Sequence, residues 1–128
     1  MRQTGWIEGR NISIEFRWGA ADIDRLGRFA KELVSLEPDL IIGHTTPAMA
    51  ALYRETKVVP IVFVVVSDPI GNGFVSSLSH AGGNATGFVN LEDSMASKRV
   101  ELAKEVAPRL KRAAIIFNPT ADVCGVYN

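Results

Sequence analysis

Two runs in this chain, Leu40-Ile41-Ile42-Gly43 and residues 58–66, contain almost no polar side chain, and stretches of helical periodicity lie between and around them. A strand that is apolar on both faces needs cover on both faces. Such strands alternating with helices indicate an α/β fold with a mostly parallel sheet, a three-layer sandwich. Residues 58–66 are β-branched almost throughout, and Pro60 is tolerable only near the start of the strand, because it cannot donate a ladder hydrogen bond.

The rest of the chain fits this frame. Ile12, Ile14 and Phe16 alternate with Ser13, Glu15 and Arg17, which predicts a strand over 12–18 with one buried face, near a sheet edge. From Ala21 the period changes, and Ile23, Leu26, Phe29, Ala30, Leu33 and Val34 predict an amphipathic helix that Pro38 stops. A second helix is expected over 48–55. Asp68-Pro69 opens a short third helix reaching about Leu78, after which His80-Ala81-Gly82-Gly83-Asn84 supplies turn chemistry. A strand over 85–89, a helix over 94–106 closed by Pro108 and a last strand over 112–117 complete the pattern. Residues 120–128 show no periodicity and are expected to form an irregular tail.

Composition narrows the function. The 128 residues suit one domain, and 14 Lys+Arg balance 14 Asp+Glu, which argues against a nucleic-acid partner. One cysteine, Cys124, and two histidines leave no disulfide or structural metal framework, and no cofactor is expected. No apolar run approaches the roughly 20 residues of a membrane-spanning helix, and Met1 to Trp6 does not read as an export signal. As written, the chain is expected to stay in the cytoplasm.

Ligands of open parallel sheets bind at the carboxyl ends of the strands, where loops and helix N-termini converge. Two such ends are chemically distinctive here. His44-Thr45-Thr46-Pro47 puts hydroxyls before a helix, with Thr46 as expected N-cap and Pro47 at the first helical position. The amides of Ala48 and Met49 could then hold a carboxylate. Ser67-Asp68-Pro69 repeats the arrangement after the next strand, with a carboxylate that can accept from an ammonium group. An acid beside an anion hole suits a zwitterion such as an amino acid, although a capping Thr and an Asp-Pro helix start are also ordinary structural devices. Asn118, ending the last strand, offers a further donor in the same position, or simply a turn before Pro119. Gly71-Asn72-Gly73 and Gly82-Gly83 match neither a phosphate loop nor a dinucleotide fingerprint, and no base or nucleophile with an orienting partner is present for an enzyme.

In order along the chain, Gly5-Trp6-Ile7-Glu8-Gly9-Arg10-Asn11, Ile14-Glu15-Phe16-Arg17-Trp18, Thr45-Thr46-Pro47-Ala48, Pro60-Ile61-Val62-Phe63, Ser67-Asp68-Pro69, Gly82-Gly83-Asn84-Ala85-Thr86-Gly87 and Asn118-Pro119 resemble the substrate-binding proteins of ABC importers of the tryptophan/tyrosine-binding type. The resemblance implies a flavodoxin-like lobe of a type I periplasmic binding protein, a small ligand that is in several members an aromatic amino acid, and an ABC permease as partner. It implies that Thr45 and Thr46 contact the ligand carboxylate and Asp68 its amino group. Members of that family are periplasmic or cell-surface proteins. They carry a β-α unit before the Gly-Trp element and a second lobe after the Asn-Pro element, so residues 1–119 correspond to most of one lobe and residues 120–128 to a tail.

The expected function is therefore solute binding for an ABC importer. The alternatives are a truncated remnant without transport activity and a flavodoxin-like enzyme or regulatory domain. A lobe without its opening strand would present an unpaired edge, from which a homo-oligomer, most simply a two-fold dimer, is expected.

Overall fold

In the computed structural model, which describes residues 5–20, 22–80, 82–91, 98, 101–102 and 105–109, β2 (Ile61–Ser67) is the middle strand of a three-stranded sheet. It runs parallel to β1 (Ile41–His44) on one side and to β3 (Ala85–Leu91) on the other. The register pairs Ile41 with Ile61 and Ile61 with Ala85, and one pair further pairs Gly43 with Phe63 and Phe63 with Gly87. These residues share one face because side chains alternate along a strand. That face is the core: Ile41, Ile61, Phe63 and Ala85 are buried together with Met49, Ala51 and Leu52.

Two helices cover it. α1 (Ile23–Ser35) begins where Asp22 accepts a hydrogen bond from the Arg25 amide at 3.0 Å. Its apolar stripe buries Ala30 and packs Leu26, Leu33 and Val34 against the core. It ends three residues before Pro38, with Glu37 in the left-handed region (φ 49°), as the residue before a proline is disfavoured in helical geometry. α2 (Thr46–Glu55) crosses β1 so closely that a Cβ on Gly43 would stand 3.2 Å from a Leu52 methyl. The smallest side chain at position 43 therefore sets the depth at which the helix sits. Asn84 fastens the start of β3 by donating to the Val59 carbonyl at 2.7 Å, and its own carbonyl accepts from the Ile61 amide at 2.8 Å.

Expected and observed elements differ in two places. Residues 12–18 form no strand: the segment makes a single bridge between Glu8 and Ile12 and does not pair with β1. An alternating pattern needs a neighbouring strand to bond to, and among the described residues the segment 12–18 finds none beyond the Glu8–Ile12 bridge. Trp18 is instead 78% exposed and stacks on Phe16 with ring centroids 6.3 Å apart. Arg17 reaches Glu32 of α1 at 2.6 Å, and its guanidinium holds the Glu32 carboxyl below the usual carboxylate range. The tie therefore operates at neutral pH and is lost as acid protonates Glu32.

Residues 68–78, expected as a helix, are a succession of turns. Gly73 is left-handed (φ 70°), and the Asn72 side chain adds bonds to the Ser67 and Asp68 carbonyls that tighten the turn. Phe74 and Val75 are nevertheless buried in the core. Elsewhere the bounds shift by one to three residues, with α2 starting at Thr46 rather than Ala48 and β2 starting after Pro60. Lys98, Glu101, Leu102, Glu105 and Val106 are helical, within the helix expected over 94–106. The strand expected over 112–117, the tail over 120–128 and Asn118 lie outside the described residues. No helix among the described residues is long and apolar enough to cross a membrane.

Two glycines separate packing from propensity. A Cβ on Gly87 would collide with the Phe63 carbonyl, whereas one on Gly27, inside α1, meets nothing within 4 Å. Gly87→Ala should lower the unfolding free energy by about 1–3 kcal/mol, and Gly27→Ala should raise it by about 0.5–1 kcal/mol. Urea denaturation of both variants checks the pair.

Candidate ligand-binding site

Parallel pairing brings the carboxyl ends of β1 and β2 to the same edge of the sheet. There the Thr45 amide donates to the Val64 carbonyl at 3.0 Å, and the Ser67 amide donates to Thr46 Oγ1 at 3.0 Å. The two strand ends are thus held together by one bond in each direction between the segments.

The backbone at this edge is unusual. Five described residues other than glycine have positive φ, and three of them, Thr45 (77°), Val65 (57°) and Asp68 (41°), lie at these strand ends. Such conformations cost on the order of 1–3 kcal/mol each and persist where the surroundings over-determine them. Val65 is explained by the ladder: Val64 pairs with Phe88 and Val66 with Val89, so Val65 is an extra residue, a bulge. It swaps the alternation, turning Val66 into the core and leaving Val65 exposed.

Thr45 and Thr46 divide the roles expected of Thr46 alone. The N-cap is Thr45, not Thr46, and its side chain makes no capping hydrogen bond. Thr46 is the first helical residue, 5% exposed, with its hydroxyl accepting from Ser67. A threonine hydroxyl can still donate while it accepts. The Met49 amide is taken by the Thr45 carbonyl at 3.0 Å, so the Ala48–Met49 pair expected to bind an anion reduces to Ala48, joined by Thr46. First-turn amides have no helical carbonyl to bond to, and the helix dipole makes this end positive.

Asp68 follows β2 and is half-buried. Its Oδ1 accepts from the Gly71 amide at 2.9 Å, and its Oδ2 occupies the place where a side chain on residue 71 would project. Asn72 closes the turn: its side-chain amide donates to the Ser67 carbonyl at 3.1 Å and to the Asp68 carbonyl at 2.8 Å. The Asn72 backbone amide adds a third bond, to the Asp68 carbonyl at 3.1 Å. The structure therefore assembles Thr45, Thr46 and Asp68 at one sheet edge. Gly71 and Asn72, read in sequence only as a failed phosphate loop, belong to the same unit; the signal for them was the Asp-Pro-x-Gly-Asn turn composition.

Among the described residues no group of three or more His, Cys, Asp or Glu side chains could hold a metal ion. A concavity of about 330 Å³ lies away from the strand ends, between Tyr53 of α2 and the turns at Gly73 and Gly82. It is open to solvent and lined by few polar side chains, whereas the strand ends combine hydroxyls, helix amides and a carboxylate.

Removing the Thr46 hydroxyl should break the hydrogen bond that joins the two strand ends at Ser67. Thr46→Val should therefore cost about 1–3 kcal/mol of stability, and Thr46→Ser should recover most of it; thermal melts followed by circular dichroism measure both.

Comparison with known proteins finds relatives of this chain and of its fold. Residues 1–126 match the family model described as ABC transporter substrate binding protein. The chain is 34% identical over 126 residues to a tyrosine-binding protein of Clostridioides difficile (strain R20291), covering 96% of this chain and 35% of that protein. Among solved structures, a conserved domain protein from Vibrio cholerae O1 biovar El Tor superposes with a TM-score of 0.83 at 33% identity, over 94% of this chain and 40% of that one. An ABC domain in complex with L-Trp from Streptococcus pneumoniae gives 0.75 at 32% identity, over 86% of this chain and 36% of that one. A ligand-free, open substrate-binding protein with adhesive properties from Clostridium difficile gives 0.72 at 32% identity, over 84% and 36%. The chain thus spans 35–40% of the length of these relatives.

Proposed function

We propose, for a chain that belongs to the ABC transporter substrate-binding protein family, that the ends of β1 and β2 bind the α-carboxylate and α-ammonium groups of an amino acid. The observation that carries this reading is the juxtaposition of a positive helix end with a carboxylate, fixed to each other through the Thr46–Ser67 bond. Thr45, Thr46 and the amide of Ala48 take the ligand carboxylate, Asp68 accepts from the ammonium group, and Asn118 is a fifth contact. The named ligands of the relatives, tyrosine and L-Trp, support an aromatic amino acid.

In this reading residues 1–119 are one lobe of a binding protein, incomplete by comparison with its family, and residues 120–128 are a tail. The whole protein acts outside the cytoplasmic membrane and delivers its ligand to an ABC permease, with no cofactor. Its work is binding rather than catalysis.

Titration calorimetry across the amino acids tests the reading. Pockets normally bury about 70–90% of a small ligand, and a single sheet edge supplies only part of such a wall. The chain should bind tyrosine or tryptophan with a dissociation constant weaker than about 1 μM. Asp68→Asn should weaken it further by roughly tenfold, the contribution of a hydrogen bond to a charged group. Submicromolar binding by a monomer, or unchanged affinity in Asp68→Asn, would contradict the assignment.

The assembly part of the proposal is a two-fold dimer. Among the described residues β1 is an edge strand, and on the sheet face away from α1 and α2 Ile42 is 65% and Phe88 72% exposed. Unpaired strand edges and apolar faces favour association. Light scattering coupled to size exclusion should give twice the chain mass at micromolar concentration, and a folded monomer would overturn the dimer.

A further inference from the structure

An aspartate in the left-handed region needs something to hold it there, and in this chain that holding falls largely to one side chain. Three hydrogen bonds from Asn72 converge on the two carbonyls that flank the Asp68 turn, at 2.8, 3.1 and 3.1 Å. Two come from the side-chain amide and use both of its donor hydrogens. The Asp68 carbonyl receives two of the three, so the orientation of the peptide after Asp68 is specified by residue 72. The carboxylate itself is set by Gly71, whose amide it accepts and whose missing side chain it replaces.

From this geometry we infer that Asn72 is a positioning residue for the ammonium subsite, fixing the Asp68 backbone and with it the place of its carboxylate at the end of β2. The inference rests on the reading of Asp68 as the ammonium acceptor. In this role Asn72 acts through Asp68 rather than on the ligand. No other side chain of similar size supplies the same two donors at that reach: leucine has none, aspartate has none when ionised, and the serine hydroxyl has one and is shorter. Released from Asn72, the turn relaxes toward ordinary backbone angles and the carboxylate moves with it.

The test compares tyrosine with its deaminated analogue, 3-(4-hydroxyphenyl)propanoate, which keeps the ring and carboxylate and lacks the ammonium group. Binding of both to the full chain is measured by ligand-observed NMR, with circular dichroism to establish folding. Wild type should prefer tyrosine by roughly tenfold or more, as expected for a charge-assisted contact. Asn72→Leu should lose most of that preference, with tyrosine weakened roughly tenfold and the analogue changed less than about twofold. A merely structural role would weaken both ligands alike. Gly71→Ala is the second variant: its backbone needs no left-handed angle, and the added methyl displaces Asp68 Oδ2 while the Asn72 side chain is kept. If Asn72→Leu does not fold, loss of preference in Gly71→Ala together with Asn72→Ala supports the inference. Wild-type preference retained in the folded variants overturns it. A wild type that binds both compounds equally would instead overturn the ammonium role of Asp68, a separable failure.

Discussion

The parallel pairing of β2 with both of its neighbours is the constraint on which the rest depends. Parallel strands end at the same edge, so β1 and β2 deliver Thr45 and Asp68 side by side although 22 positions in the sequence separate them. Parallel strands also require long crossovers, and α2 is such a crossover, entering at the very edge where β1 stops. Its N-terminus is positive there for the same reason that the strand ends are there. The electrostatic character of the site thus follows from topology before any side chain is considered.

The same topology gives the sheet two unequal faces. Crossovers that advance in one direction along a parallel sheet lie on one side of it, because the connection is right-handed. α2 and the turns carrying Phe74 and Val75 accordingly share the core with Ile41, Ile61 and Phe63. The opposite face, with Ile42 and Phe88 exposed, has no described helix over it. At the strand ends the chain carries strain instead of burial, in the left-handed Thr45, Val65 and Asp68, each fixed by a ladder bond, a bulge or the Asn72 turn.

Much of this was legible in the sequence, and the exceptions have physical causes. α1, α2, β1, β2 and β3 announce themselves because their periods are set by local geometry and by burial that their own side chains report. The alternation over 12–18 misleads because a strand is defined by a partner, and alternation says nothing of whether one is at hand. The expected helix after Asp68 stops at Asn72, whose amide makes one helical bond to Asp68; left-handed Gly73 then bonds to Ile70 and Phe74 to Pro69, outside helical register. For the site, the positions of Thr45, Thr46 and Asp68 follow from the strand-then-helix pattern. Which threonine caps, where the bulge falls and what Asn72 holds depend on tertiary contacts and left no local signature beyond turn composition.

The central claim is that an amino acid sits at the joined ends of β1 and β2. Backbone amide chemical shifts followed during tyrosine titration of the isotope-labelled chain address it most directly. The account predicts that the largest changes fall on Thr45, Thr46, Ala48, Ser67 and Asp68. Changes confined to the concavity between Tyr53 and the Gly73 and Gly82 turns, with the strand ends silent, would contradict it.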